Sequence, residues 1–140
     1  MRREMLKPLS QSVSGSHDGD HLKILVVDDD EFIRSLLAEW LHVDSYTVLC
    51  AADGAEAVNM ISGHNPSVVV TDLSMPAMDG LGLCRRIRES SDVPILVFTS
   101  TLEQEGKRDC IAAGASDHAV KGITMQDFLG RVRGLVARRA

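Results

Sequence analysis

"ILVVDDDEF", residues 24–32, places four apolar residues directly before three aspartates and a glutamate. A short apolar, β-branched run is typical of a strand that is buried on both faces of a sheet. The adjacent carboxylates of Asp28, Asp29 and Asp30 repel one another, so such a cluster needs a nearby counter-charge to stay ionised. The stretch therefore predicts a central strand with an acidic group at its carboxyl end.

The alternation of strand and helix continues along the chain. Short apolar runs that predict strands occupy residues 22–28, 46–52, 67–72, 94–100 and 116–120. Stretches with helical spacing cover 32–41, 54–61, 81–89 and 102–114, and a last helix begins at Thr124. Five strand–helix units predict an α/β fold, in which a parallel sheet is covered by helices on both faces.

Residue types that cap helices stand at the predicted helix ends. They are Asp30 with Glu31 for the first helix, Asp79 for the third, Gly114 after the fourth, and Thr124 with Asp127 for the last. The predicted buried stripe of the first helix comprises Phe32, Ile33, Leu36, Leu37, Trp40 and Leu41, and that of the last helix Met125, Phe128, Leu129, Val132, Leu135 and Val136. Arg85, Arg86 and Arg88 are predicted to form a solvated face of the third helix.

Length and composition limit the class of protein. A chain of 140 residues suits one domain with a hydrophobic core, and its net charge of −5 argues against nucleic-acid binding by this domain. Residues 1–20 are rich in Ser, Gly, Asp and Pro and are predicted to be a flexible tail or linker, which leaves 21–140 as the domain. No apolar run reaches the ~18 residues of a membrane span, and three widely spaced cysteines predict reduced, mostly buried thiols in a cytoplasmic protein.

Polar residues end four of the five predicted strands. Ligands of open parallel sheets bind beyond the carboxyl ends of the strands, where the strand order reverses. Asp28 and Asp29 follow the first strand, Asp72 the third, Thr99 lies at the end of the fourth, and the fifth runs into Lys121. We therefore expect three carboxylates, one hydroxyl and one ammonium group at one edge of the sheet.

This set of groups has a chemical logic. Clustered carboxylates are relieved by a hard divalent cation, and a few carboxylates completed by water suit Mg²⁺. Lys121 and the Thr99 hydroxyl would complete a pocket for a phosphoryl group, whose oxygens need cations and hydrogen-bond donors. Asp72 then stands where a carboxylate could attack phosphorus.

Four motifs give the chain a resemblance to a known family. The sequences "VVDD" (26–29), "VVTDLSMPAMDG" (69–80), "PILVFTS" (94–100) and "AVKG" (119–122) occur in the order and at the spacing of the receiver domain of two-component response regulators. The resemblance covers roughly residues 22–138. It implies a CheY-like, doubly wound (βα)5 fold of the flavodoxin-like class, a three-layer sandwich whose parallel sheet has the strand order 2-1-3-4-5.

The resemblance also implies a role for each matching residue. Asp72 matches the aspartate that accepts a phosphoryl group from the phosphohistidine of a histidine kinase. Asp29 matches a direct Mg²⁺ ligand, Asp28 a neighbour that acts through water, and Ser74 the position whose backbone carbonyl completes the metal site. Thr99 matches the hydroxyl residue that binds the phosphoryl group and shifts on activation.

Two further positions match the family with a change. Lys121 matches the lysine that pairs with phosphoryl oxygens, but Gly122 stands where the family has proline, often after a cis peptide. A cis bond before a non-proline residue costs ~2.5–4 kcal/mol, so we expect a trans peptide or a strained loop, with Lys121 held less firmly. His118 stands at the aromatic switch position and, since histidine titrates near physiological pH, suggests a pH-sensitive switch.

Partners follow from the same resemblance. It implies a sensor histidine kinase or a histidine phosphotransfer protein as phosphodonor, and a downstream protein or output domain as recipient of the signal. The resemblance implies a signalling surface formed by the fourth helix, the fifth strand and the fifth helix. In the predicted fourth helix, the stretch "EQEGKRD" (103–109) offers few apolar side chains to attach the helix to the core, which suits a part of the chain that switches between two positions. The chain is then a substrate and switch rather than an enzyme, which assists only its own phosphorylation and dephosphorylation.

Two other classes share parts of the pattern. An aspartyl-phosphate phosphatase of the haloacid dehalogenase type needs Asp-x-Asp-x-Thr after its first strand, but Phe32 stands where the threonine belongs and 140 residues leave no room for a cap domain. A flavodoxin-type module needs a phosphate-binding loop after strand one, where the acidic run would repel phosphate. Turnover of a phosphoester or a bound flavin would identify either class.

Overall fold

Five parallel strands form the sheet that the alternating pattern predicts. The computed structural model describes residues 22–100 and 103–139, so the predicted tail, residues 1–20, lies outside the described part. The strands are β1 (Lys23–Val27), β2 (Thr47–Ala51), β3 (Val68–Thr71), β4 (Ile95–Thr99) and β5 (Asp117–Val120). They lie in the order β2-β1-β3-β4-β5, which confirms the predicted topology.

One helix follows each strand. The helices are α1 (Glu31–Val43), α2 (Gly54–His64), α3 (Gly80–Arg88), α4 (Gln104–Ala113) and α5 (Met125–Arg139). The predicted caps hold: the Asp30 and Asp79 side chains accept from backbone N–H groups at the starts of α1 and α3, and Gly114 ends α4 with a φ of 112°. Thr124 Oγ1 accepts from the Asp127 N–H at the start of α5, as in a capping box.

Two hydrophobic cores, one on each face of the sheet, give the three layers. The core beneath α2, α3 and α4 includes Leu83 and Cys110, and the core beneath α1 and α5 includes Leu37 and Phe128. The Phe128 ring lies 5.6 Å from the Trp40 ring and 5.4 Å from the Phe98 ring, between centroids. Because the central strands are buried on both faces, they read in the sequence as continuous apolar runs.

Two sequence predictions about single side chains, those for Phe32 and Arg88, are wrong. Phe32 is 70% exposed in the first turn of α1. Of the three cysteines, Cys84 and Cys110 are buried as predicted, and Cys50 is exposed on the edge strand β2. Arg88 is half-buried: its guanidinium donates to the carbonyls of Ser91, Val93 and Gly114 at 3.2, 2.8 and 3.0 Å. No helix among residues 22–100 and 103–139 is long and apolar enough to span a membrane.

Candidate functional site

The carboxyl ends of β1, β3, β4 and β5 bring the predicted polar residues to one edge of the sheet. Backbone hydrogen bonds continue the parallel ladders one residue past the strands, from the Asp28 N–H to the Ala51 carbonyl and from the Lys121 N–H to the Thr99 carbonyl. The Asp72 N–H likewise donates to the carbonyl of the last residue of β1, at 3.2 Å. These residues are thus fixed by the sheet itself, and Asp28, Asp72 and Thr99 are buried.

Lys121 links two of the carboxylates. Its Nζ atom lies 3.0 Å from Asp28 Oδ2 and 3.2 Å from Asp72 Oδ2, and all three side chains are largely buried. Burial lowers the pKa of Lys121, but its hydrogen bonds to both aspartates and their negative charges outweigh this, so the pKa lies above its ordinary value. Lys121 therefore stays charged at neutral pH and supplies part of the counter-charge that the acidic run requires.

Asp28 is held by several neighbours at once. Its Oδ1 accepts from the Asp30 N–H at 2.9 Å, its Oδ2 from Lys121, and its backbone carbonyl from Arg34 Nη1 at 2.7 Å. Burial nevertheless raises the pKa of Asp28, and the hydrogen bonds from Asp30 and Lys121 only partly offset this effect. Sequence reasoning missed Arg34, because its side chain contacts a main-chain carbonyl, for which a sequence carries no pattern.

The loop between β3 and α3 sets the direction of Asp72. Asp72 Oδ1 accepts from the Leu73 N–H at 2.7 Å, which leaves Oδ2 directed at Lys121. The Gly80 N–H donates to the Leu73 carbonyl at 2.9 Å, and a Cβ on Gly80 would collide with the Asp72 carbonyl oxygen. The glycine of "MDG" thus lets α3 begin directly against the backbone of the strand end.

Asp29 completes an acidic cluster that could bind a metal ion. One carboxylate oxygen from each of Asp28, Asp29 and Asp72 lies within 4.8 Å of the others, and Asp29 is exposed. Hard oxygen donors of this kind suit Mg²⁺, which binds one or two carboxylates, water and phosphate oxygens at about 2.0–2.1 Å. Ser74, whose backbone carbonyl the family resemblance assigns to the metal, lies two residues beyond Asp72 in the same loop and is exposed.

The turn after β5 resolves the question raised by Gly122. The structure has no cis peptide among the described residues, and Gly122 adopts a φ of 109°, which glycine tolerates without strain. A Cβ at Gly122 would meet nothing within 4 Å, so glycine is favoured here by the positive φ and not by close packing. The peptide before Gly122 is thus trans, one of the two expected outcomes, and the Lys121 ammonium group lies between two carboxylates.

His118 lies apart from the acidic cluster. It pairs with Val97 in the sheet, and its half-buried side chain lines a groove of about 450 Å³ between β5 and α4. The other residues that line this groove are Lys107, Arg108, Ile111 and Ala112. The site residues therefore divide between the acidic edge and the neighbouring α4–β5 surface.

Comparison with known proteins identifies the family. The family model of the response regulator receiver domain matches residues 24–133. A probable transcriptional regulator ycf27 of Porphyridium aerugineum is 38% identical over 116 residues, 83% of this chain and 48% of that protein. The response regulator MprA of Mycobacterium ulcerans (strain Agy99) is 40% identical over 118 residues, 84% of this chain and 51% of that protein. The chain thus spans about half the length of the curated relatives it matches.

Solved structures show the same fold. The chemotaxis protein CheY4 of Vibrio cholerae superimposes with a TM-score of 0.79 at 30% identity, over 82% of this chain and 98% of that one. A putative response regulator from Chloroflexus aurantiacus J-10-fl gives a TM-score of 0.80 at 32% identity, over 84% of this chain and 98% of that one.

Proposed function

The chain belongs to the response regulator receiver family, and we propose that it accepts a phosphoryl group on Asp72 in a Mg²⁺-dependent reaction. The observation that carries this proposal is the Lys121 ammonium held between Asp28 and Asp72, beside a cluster of three carboxylates. Asp28, Asp29, Asp72 and the Ser74 carbonyl would hold the metal, Asp28 through water. When bound, Mg²⁺ supplies positive charge that offsets the carboxylates and the incoming phosphoryl oxygens.

Each residue then has a defined task in the transfer. A carboxylate oxygen of Asp72 forms a bond to phosphorus while the phosphorus–nitrogen bond of the donor phosphohistidine breaks. The Leu73 N–H orients the carboxylate through Oδ1, and Lys121 exchanges its contact with Asp72 for the new phosphoryl oxygens. The Thr99 hydroxyl, at the buried end of β4, donates to another of these oxygens. The same groups assist the later hydrolysis of the acyl phosphate.

We propose that the phosphoryl group changes the surface formed by α4, β5 and α5. Of the α4 side chains in residues 106–113, two small ones, Cys110 and Ala113, are buried, and the N-cap Glu103 makes no side-chain hydrogen bond to the helix. A helix anchored so weakly is suited to two positions of similar energy. In this proposal Thr99 shifts toward the phosphoryl group, and His118, which lines the groove beside α4, changes its rotamer and so repositions α4.

The partners are proposed from the family and from the relatives' length. A sensor histidine kinase or histidine phosphotransfer protein would supply the phosphoryl group, and a downstream protein or output domain would receive the signal. Residues 21–140 would form the receiver domain in the cytoplasm, with residues 1–20 as a tail or linker. The chain would be a substrate and switch and would not turn over external phosphoesters, unlike a phosphatase of the haloacid dehalogenase type.

A small phosphodonor tests the proposal without knowledge of the kinase. Intact-mass spectrometry of the wild type with acetyl phosphate and Mg²⁺ is expected to show one added phosphoryl group, which Asp72→Ala and chelation of Mg²⁺ abolish. Asp109→Asn, which changes an exposed aspartate of α4, serves as the matched control and is expected to label like the wild type. Labelling of Asp72→Ala at the wild-type level would refute the proposal.

A further inference from the structure

Arg34 makes a contact that no part of the proposed mechanism uses. It lies on α1, is half-buried, and donates from Nη1 to the backbone carbonyl of Asp28 at 2.7 Å. This distance is typical of a strong hydrogen bond with a charged donor. An arginine held at a backbone carbonyl one residue before a candidate metal ligand can control that ligand's direction.

The bonds of Asp28 show what Arg34 adds. The Asp28 N–H is held by the Ala51 carbonyl, and its carboxylate by Asp30 and Lys121. The remaining polar atom is the carbonyl, which belongs to the peptide that joins Asp28 to Asp29. Arg34 therefore restrains the plane of this peptide, from which the backbone of Asp29 continues.

Asp29 depends on this restraint more than the other carboxylates. Asp28 and Asp72 are buried and share Lys121, whereas Asp29 is exposed in the turn between β1 and α1. We propose that Arg34 is a positioning residue of the metal site, which holds the Asp28–Asp29 peptide so that the Asp29 carboxylate faces those of Asp28 and Asp72. This inference rests on the proposed Mg²⁺-dependent function.

Mg²⁺ binding measured by isothermal titration calorimetry tests the role of Arg34 directly. Arg34→Met keeps the length of the side chain and removes its donors, so we expect the Kd for Mg²⁺ to rise about tenfold, as for other groups that orient metal ligands. Arg34→Lys retains the charge and a donor group on a shorter side chain, and its Kd is expected to rise roughly threefold. Arg85→Met, at an exposed position of α3, is the control and should leave the Kd unchanged.

A second readout separates positioning from stability. In Arg34→Met the Mg²⁺ concentration for half-maximal labelling by acetyl phosphate should rise by the same factor as the Kd, while the rate at saturating Mg²⁺ stays within about twofold. A purely structural role would lower the midpoint of urea unfolding and leave the Kd for Mg²⁺ unchanged.

The outcomes distinguish the two proposals. A Kd of Arg34→Met within twofold of the wild-type value overturns the proposed role of Arg34 but not the proposed function. If Arg34→Met does not fold, an unchanged Kd in Arg34→Lys overturns the role of Arg34 in the same way. Failure of the wild type itself to bind Mg²⁺ overturns the metal-dependent function, and the role of Arg34 with it.

Discussion

Asp28 stands at a position where the charge of its side chain conflicts with burial. Its carboxylate is buried beside those of Asp29 and Asp72, and burial raises its pKa despite the bonds from Lys121 and Asp30. A raised pKa in the folded state means that neutral Asp28 favours folding. That contribution is fully present below the ordinary pKa of 3.8 and is lost as the pH rises through the higher folded-state value. At neutral pH the charge of Asp28 therefore disfavours folding until a cation offsets it.

Asp28→Asn is expected to stabilise the metal-free protein. The substitution removes one charge from the cluster and leaves Lys121 paired with Asp72, so the free energy of unfolding at pH 7 should rise by on the order of 1 kcal/mol. The advantage over the wild type should shrink as the pH falls toward 4, because Asp28 of the wild type becomes neutral. Urea unfolding with a chelator at pH 4, 5.5 and 7 measures both effects.

Saturating Mg²⁺ provides the comparison within the same experiment. It should stabilise the wild type more than Asp28→Asn, because the variant has lost one carboxylate of the cluster. A variant that is less stable than the wild type at pH 7, or a difference that does not change with pH, would contradict the electrostatic account of Asp28.

Single side chains show where sequence reasoning stops. Asp28, Asp72 and Lys121 could be placed together because each follows a strand, and parallel strands carry their ends to one edge. Arg34 and Arg88 could not be assigned, since both bind backbone carbonyls that only the folded chain brings within reach. Partners of this kind depend on the rotation of a helix about its axis, which an apolar stripe fixes only coarsely.

At the scale of elements, α5 and α4 differ in how they are attached. α5 is anchored by Phe128, which is fully buried and contacts the rings of Trp40 and Phe98. α4 is anchored by Cys110 and Ala113, and Ile111 on the same helix is 56% exposed. Within the described residues, α5 is therefore anchored by larger buried side chains than α4.

Phe128→Ala should cost about 3–5 kcal/mol of unfolding free energy, because it removes a fully buried ring and leaves a cavity between α1, α5 and the sheet. Phe32→Ala is the matched control: the same change at a residue that is 70% exposed should alter stability by less than about 0.5 kcal/mol. Urea unfolding followed by circular dichroism measures both. Similar losses in the two variants would show that the core on this face is assigned wrongly.

The thiol of Cys110 reports on local opening of α4. Burial raises the pKa of Cys110 and raises that of Cys84 to about 11, so both thiols should react with iodoacetamide only after the structure opens. In a Cys50→Ser background, where the exposed thiol is absent, the opening free energy of Cys110 should be smaller than the free energy of global unfolding. Peptide mapping by mass spectrometry separates the two thiols.

The same labelling tests coupling between the acidic site and α4. Beryllofluoride with Mg²⁺, a mimic of the phosphoryl group, should change the labelling rate of Cys110, because a ligand that binds one of two positions shifts the population between them. A rate that follows global unfolding alone, and that the mimic leaves unchanged, would show that α4 is not a switch element.

At the scale of the whole molecule, the sequence pattern predicted the architecture, and the structure showed which side chains contact one another. The continuous apolar runs and capping residues predicted five strand–helix units, and the sheet order was confirmed. The sequence placed Lys121 at the same edge of the sheet as the aspartates, but it does not show that the ammonium group contacts Asp28 and Asp72 at once. The positive φ of Gly122 likewise depends on how the turn after β5 meets the site.

Location of the phosphoryl group within the chain tests the central claim most directly. After reaction with acetyl phosphate and Mg²⁺, peptide mapping by mass spectrometry should find the phosphoryl group on Asp72 in the segment between β3 and α3, as a hydroxylamine-sensitive acyl phosphate that is absent when Mg²⁺ is chelated. A phosphoryl group on a different residue, or on Asp72 to the same extent without Mg²⁺, would contradict the account.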